Sequence, residues 1–508
     1  MIAPPGLSLD LSPTARRQLV RWAAVCILLF AAGVRFAALN RDARFHPDEA
    51  LFANFARHAA VQGDWLLGGN LDKPPLAIYA SALGMTFFGI QPLANGVLDL
   101  NIYTGEFTAR LPSTLAGVVW AAVMMALAKR LYHRNSLALW AGLLAACSPL
   151  AILFSASAFT DGWLLLWMGA ALWASAGRHW VWSGVCLALA FATKQQGLVY
   201  LPLAAGVGWA LHGWSWRLAA GLAVPLGAGV TLFAAWDGLR TGSPSVFELA
   251  AANNAPKGLV PAGALAERAG QWLNTGRGLF GSATTLFALL ITAFTLRSLF
   301  RRPVTQRMRA DFVLAAFVLV YLLAHLLIAF NLYDRYWLPL LPPLILLALR
   351  AGSWAYALLS RLIMRAEIQI AAIVMGLVLL AAGLDAAAGN SGAAGGLDDS
   401  FAQQPAVDDA AAWLTAQHVG AIVYDRWLGW QLGYYLGAWS DKRLTYFPDP
   451  VALAEAALVL DEREPRFFPV PSAVDAGAWL ESLTADGFKV EKAAEVRGIT
   501  IYQLTPPE

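Results

Sequence analysis

The sequence predicts a polytopic α-helical membrane protein that ends in a small soluble α/β domain. Three observations lead there. Of the 508 residues, 58% are apolar and only 14% are charged, far from the usage of an average globular chain. Apolar runs near the ~20 residues needed to cross a hydrocarbon core recur from Trp22 to about Asp385. Beyond them the pattern changes to short, alternating helix-like and strand-like stretches.

Taken in order, the apolar runs give about eleven transmembrane helices, near 22–39, 111–128, 136–154, 160–176, 180–193, 197–211, 218–236, 279–296, 311–330, 337–350 and 368–385. The first follows Arg16, Arg17 and Arg21 and resembles a secretory signal, but it is long for a signal core and reads as a retained span. Segment 74–90 opens on Pro74–Pro75 and is short, so it is expected to lie along the outer interface. Charge orients the set. With the amino terminus (1–21) cytoplasmic, the inward segments hold Lys129, Arg130, Arg134, Arg178, Arg217, the run RSLFRRPVTQRMR (297–309), Arg350, Arg361 and Arg365, as the positive-inside rule requires. The extracytoplasmic face then receives loops 40–110 and 237–278, the turn NLYDRY (331–336) and the carboxyl-terminal region.

The membrane domain, 22–385, passes at 386–400 into a Gly/Ala/Ser-rich stretch that is expected to be a flexible linker. In 401–508, AVDDAAAWLTAQ and WLGWQLGYYLG read as helices, and GAIVYD, ALVLD and GITIYQL as strands. This makes an extracytoplasmic α/β domain with a core of its own. No internal repeat is visible, so the inverted repeats of many secondary transporters have no counterpart. The 21 Trp suit the water–lipid boundary. A net charge of +3, thinly scattered, argues against nucleic acid as a partner. Cys26, Cys147 and Cys186 all fall in apolar segments and imply no disulfide framework.

The charges near one mouth of this chain carry the functional signal. Asp48–Glu49 stand in FHPDEALF just beyond the first span, and Lys73 is central in LDKPPLAIY, where two prolines restrict its reach. Carboxylates and a cation together there suit a charged, lipid-linked substrate at the membrane surface. The pair also fits a helix start, with Pro47 at the first position and acids in the first turn. Asp161 opens one span and Lys194 closes another on the same face. Ionised groups at membrane depth cost roughly 2.5–3.5 kcal/mol and ordinarily face a cavity or interface. Arg335, with Tyr336, heads a later span and suits either a phosphate or a pair with Asp334. Glu106 and Arg110 are spaced to pair along one helix face, a structural role. His46 reads as structural, because no HExxH or CxxC spacing accompanies it. Walker A, GxGxxG and GxSxG sequences are absent, which leaves nucleotide-driven and serine-nucleophile chemistry unsupported.

HPDEALF, LDKPPLAIY, GEFTARLPSTLAG, FTDG, ATKQQG and DRYWLPLLPP occur in the order seen in GT-C membrane glycosyltransferases. The chain most resembles the family 39, protein O-mannosyltransferase-like and aminoarabinose-transferase-like group, over residues 20 to 385. The resemblance implies sugar transfer from a polyprenyl-phosphate donor to a lipid, polysaccharide or protein acceptor, outside the cytosolic face of a cell (plasma or inner) membrane. It implies a catalytic carboxylate in Asp48–Glu49 and a donor phosphate at Lys73, with Lys194, Arg335, Asp161 and Tyr336 as further cavity residues. Phe52 replaces a Tyr common in relatives, and the usual Thr-Lys-Gly reads Thr193-Lys194-Gln195-Gln196-Gly197, which shifts the register after Lys194. The chemistry agrees: a base such as Asp48 takes the acceptor's proton, and positive charge at Lys73, Arg335 or Lys194 meets the departing phosphate. Direct displacement with one base predicts an inverted anomeric centre. Trp65, Tyr79 and Trp337 suit stacking on sugar or prenyl groups, and equally an interfacial belt. No cofactor is required, and carboxylates leave a divalent metal open. The competing expectation is a transporter or flippase of lipid-linked saccharides, whose charges would line a path at the bilayer midplane.

Overall fold

The computed structural model describes residues 12–389, 406–460 and 462–507. The membrane part contains α1 (Pro13–Leu39), α2 (Pro47–Arg57), α3 (Leu76–Phe88), α4 (Ile102–Tyr132), α5 (Asn135–Cys147), α6 (Pro149–Ser155), α7 (Asp161–Ala176), α8 (Trp180–Thr193), α9 (Tyr200–His212), α10 (Trp216–Leu239), α11 (Val246–Asn254), α12 (Leu265–Gly276), α13 (Thr284–Leu299), α14 (Gln306–Leu327), α15 (Leu341–Leu359) and α16 (Arg365–Ala388).

Each of the eleven expected spans coincides with one of these helices or with a helix pair, but length does not support eleven full crossings. Among the described residues, seven helices are long and apolar enough to cross a membrane, or eight if α5 and α6, bent by 60° at Ser148–Pro149, form one span. The others, α7, α8 and α9, have 16, 14 and 13 residues. At 1.5 Å per residue the shortest reaches only about 20 Å. α3 is as short. α4 begins well before the expected 111, because Asn101 caps it by accepting the N–H groups of Tyr103 and Thr104 at 3.0 and 3.2 Å. Its 31 residues run about 46 Å and carry Glu106 and Arg110 above the apolar section.

α7 starts, and α8 ends, at the same end of the bundle, since Asp161 and Lys194 pair there at 2.7 Å. Arg178, in the turn between them, is therefore at the opposite end. Lys129 and Arg130, in the last turn of α4, and Arg297, in the last turn of α13, close helices at that far end.

The carboxyl-terminal domain holds β3 (Ile422–Asp425), β4 (Arg443–Tyr446), β5 (Arg466–Pro471), β6 (Lys489–Val496) and β7 (Ile499–Thr505), in the order β4-β3-β5-β7-β6, after a small β1–β2 ribbon (Gln91–Pro92 and Leu98–Asp99) in the first loop. β3 is parallel to β4 and β5, while β7 is antiparallel to β5 and β6. The expected helices and the strands GAIVYD and GITIYQL are present. The expected strand ALVLD is not formed: Ala457, Leu458 and Val459 complete the helix Pro450–Val459. Asp449 caps that helix, accepting from Ala452 N–H at 2.9 Å, and Pro450 is its first residue. α16 continues to Ala388, so the first residues of the expected linker are helical; 390–400 lie outside the described residues.

The domain is fixed to the first loop by polar contacts. Its helix Gly429–Tyr435 lies on α2: Asn54 Nδ2 donates to Trp430 O at 2.7 Å, Arg57 Nη1 and Nη2 donate to Tyr434 O and Gly433 O at 2.5 and 3.0 Å, and Gln431 Nε2 donates to Phe45 O at 2.6 Å. Arg57 is buried, a position tolerable only because its charge is hydrogen-bonded.

Candidate active site

α2 starts as its sequence indicates. Pro47 occupies the first position, the His46 ring accepts from Asp48 N–H at 3.1 Å, and Glu49 reaches back to His46 N–H at 3.0 Å, a capping box. From this shared start the two acids part. Asp48 lines a cavity of about 880 Å³, and its side chain is 43% exposed there. Glu49 is buried and absent from the cavity wall. Its Oε1 accepts from Arg110 Nε at 3.0 Å and Ala158 N–H at 2.8 Å, and its Oε2 from Arg110 Nη2 at 3.1 Å. Glu49 thus ties α2 to α4 and to the turn before α7.

That also changes the partner expected for Arg110. Its guanidinium meets Glu49 and the carbonyls of Ala43 and Arg44, while Glu106 pairs with Arg44 at 3.2 Å and accepts from the Tyr435 hydroxyl. The contact across the loop gives the guanidinium a two-point fit, Nε and Nη2 each meeting one Glu49 oxygen.

Lys73, Asp161, Lys194, Arg335 and Tyr336 join Asp48 around the cavity. Three ion pairs form its floor: Lys73 Nζ with Asp72 Oδ2 at 2.6 Å, Lys194 Nζ with Asp161 Oδ1 at 2.7 Å, and Arg335 Nη2 with Asp48 Oδ2 at 2.9 Å. Arg335 therefore pairs with Asp48, and Asp334 Oδ1 accepts the Arg335 backbone N–H at 2.6 Å instead. The guanidinium lies 4.4 Å from the centroid of Tyr333 and 5.2 Å from that of Phe159, which restrains its plane.

Lys194 reaches its place because α8 stops at Thr193 and Lys194 is extended (φ −160°, ψ 133°) before one 3₁₀ stretch, Gln195–Val199. Gly197 permits this fold-back: a Cβ there would stand 2.5 Å from the Ala190 carbonyl carbon. The two glutamines are used, Gln195 Nε2 donating to Asp72 O at 2.9 Å and Gln196 Nε2 to the Tyr321 hydroxyl at 2.8 Å. Burial lowers the Lys194 pKa, and Asp161 partly restores it. Asp161 is buried, and its second oxygen, Oδ2, has no hydrogen-bond partner among the described residues.

Tyr79, expected in the cavity, is not in its wall. It sits behind the Lys73 loop, where its hydroxyl accepts from Trp236 Nε1 at 2.7 Å. Trp65 and Trp337 also stand outside. The aromatic lining is instead Phe52, Phe159, Tyr333, Tyr336, Trp430 and Tyr446. The last two belong to the carboxyl-terminal domain, which contributes Asp425, Gly429 and Leu444 as well. Burial pushes the Asp425 carboxyl up, against the N–H groups of Leu428 and Gly429 that favour its charge. This roof was missed in the sequence, although WLGWQLGYY was legible as a helix. Among the described residues, no group of three or more His, Cys, Asp or Glu is gathered as a metal site.

A cavity with cations on its floor, each beside a carboxylate, can hold an anion and take up a proton. A family model described as dolichyl-phosphate-mannose-protein mannosyltransferase matches residues 72–236. No curated protein matches the chain. Among solved structures, ArnT from Cupriavidus metallidurans bound to undecaprenyl phosphate is similar with a TM-score of 0.65 at 17% identity, covering 94% of this chain and 97% of that one. The Archaeoglobus fulgidus oligosaccharyltransferase in complex with zinc and sulfate follows with a TM-score of 0.54 at 12% identity, covering 94% and 72%. The fold is thus ArnT-like, as the motif order implied.

Proposed function

We propose that the chain is an integral-membrane glycosyltransferase that moves a sugar, hexose or pentose, from a polyprenyl-phosphate donor to an acceptor hydroxyl. The observation that carries this is the meeting of Asp48, Lys73, Lys194 and Arg335 around one cavity. The family model and the ArnT-like fold, one of whose members was solved with undecaprenyl phosphate, support the same donor class. The basic segments at the far end of the bundle support a cavity and carboxyl-terminal domain turned away from the cytosol of a cell membrane.

In this reading the donor phosphate enters over the floor and takes Arg335, with Lys73 and Lys194 adding charge to its oxygens. Arg335 couples the two halves of the reaction, because the phosphate that claims it frees the Asp48 carboxylate for the acceptor hydroxyl. Asp48 takes the hydroxyl proton as the acceptor oxygen bonds to the anomeric carbon. The bond from that carbon to the phosphate oxygen breaks on the opposite side, its electrons leave with polyprenyl phosphate, and the configuration inverts. Glu49 holds α2 in place and takes no part in the proton transfer.

A transporter would need its charges along a path through the midplane. These charges gather at helix ends beneath a soluble domain, which favours the enzyme. The test is a comparison of cell-envelope glycans with and without the gene product, followed by transfer of the missing sugar from polyprenyl phosphate by the purified protein. Identical glycans and no transfer would overturn the proposal.

A further inference from the structure

A base and a phosphate site leave the roof of the cavity without a task. β3 and β4 run parallel, and their carboxyl ends open onto it, the end at which parallel sheets ordinarily receive ligands. Two rings stand there partly exposed, Trp430 at 41% and Tyr446 at 55%. Both are held. Asp425, buried at the end of β3, accepts from Leu428 N–H at 2.9 Å and Gly429 N–H at 2.6 Å, fixing the turn that delivers Trp430. The indole packs on Phe55 at 5.6 Å between centroids. Arg426 donates to the Tyr446 hydroxyl and lies 5.5 Å from its ring centroid.

The roof is in register with the base. Asp48, Leu51, Phe52 and Phe55 share one face of α2; the first three line the cavity, and the fourth carries Trp430. Asp48 and Phe55 are seven positions apart on the helix, about 10 Å, within reach of a short saccharide. A donor whose prenyl tail stays in the bilayer meets the ionic floor first, so the roof faces whatever arrives from the aqueous side.

We infer that Trp430 and Tyr446 form the acceptor subsite and that the acceptor is a saccharide, one sugar ring lying against them while a hydroxyl meets Asp48. The negative face of an aromatic ring attracts the slightly positive C–H face of a pyranose, leaving a hydroxyl of the neighbouring sugar ring for the base. The inference rests on the glycosyltransferase reading and adds the class of acceptor.

The test uses full-length protein in lipid nanodiscs, the sugar-loaded polyprenyl phosphate as donor, and the sugar-deficient envelope fraction of a deletion strain as acceptor probe. Trp430→Ala is expected to raise the acceptor KM ~10-fold, with the donor KM unchanged and Trp430→Phe restoring most of the loss. Tyr446→Ala, on an exposed strand, is expected to raise the acceptor KM about threefold with an unshifted melting midpoint; it decides the matter alone if Trp430→Ala does not fold. An unchanged acceptor KM, a raised donor KM, or an acceptor that is protein without sugar overturns the inference while leaving the transferase reading intact. A wild-type protein that transfers nothing to any envelope fraction overturns that reading, and this inference with it.

Discussion

Asp48 and Glu49 are adjacent acids with opposite consequences, and Glu49→Gln brings out the difference. Glu49 accepts four hydrogen bonds, two of them from Arg110, and both residues are buried. In glutamine one oxygen becomes an NH₂ that faces donors, so two bonds to the carboxylate are lost, one from Arg110 and one from a backbone N–H. At ~1.5–3 kcal/mol per bond to a charged group this is a loss of about 3–6 kcal/mol, in line with the ~3–5 kcal/mol for breaking a buried pair. Asp48→Asn breaks a single contact with Arg335 whose carboxylate is 43% exposed to the cavity and whose guanidinium keeps the Tyr333 and Phe159 rings, a loss of about 1 kcal/mol. Thermal unfolding of the detergent-solubilised full chain, followed by fluorescence-detected size exclusion, should show a large fall for Glu49→Gln and almost none for Asp48→Asn. A Glu49→Gln protein as stable as wild type but inactive would refute the reasoning and make Glu49 the base.

Lys73→Ala should raise the donor KM ~10–100-fold with little change in the acceptor KM; unaltered steady-state donor kinetics would remove Lys73 from the site. Asp161→Asn should weaken donor binding increasingly as pH rises. Burial already lowers the Lys194 pKa, and Asp161 opposes that shift, so without the carboxylate the ammonium loses its proton at a lower pH; a donor KM with the wild-type pH profile would contradict this. NMR of the product from a donor of known configuration should show inversion, and retention would rule out single displacement by Asp48.

Much of this was legible because local rules wrote it. Pro47 with two acids behind it marks a helix start whatever lies around it, and long apolar runs mark spans. What escaped was settled by contacts distant in sequence. Spacing favoured Glu106 for Arg110, yet Glu49, remote in the chain, gave the buried guanidinium a better-matched carboxylate. The extra glutamine after Lys194 obscured its position, and only the fold-back at Gly197 brings it to Asp161. ALVLD has no periodicity to tell strand from helix; the Asp449–Pro450 start was the signal that could have decided it. β5, RFFPVP, was hidden by its prolines. The roof over the cavity depends on how the carboxyl-terminal domain docks on α2, which no local pattern encodes.

The central claim is that the Asp48 carboxylate accepts the proton in a cavity whose cations hold the donor phosphate. Single-turnover sugar transfer from polyprenyl phosphate by Asp48→Asn, alongside donor binding by the same protein, tests it most directly. The account predicts transfer slowed ~10²–10⁴-fold with donor still bound. Transfer at the wild-type rate would contradict it.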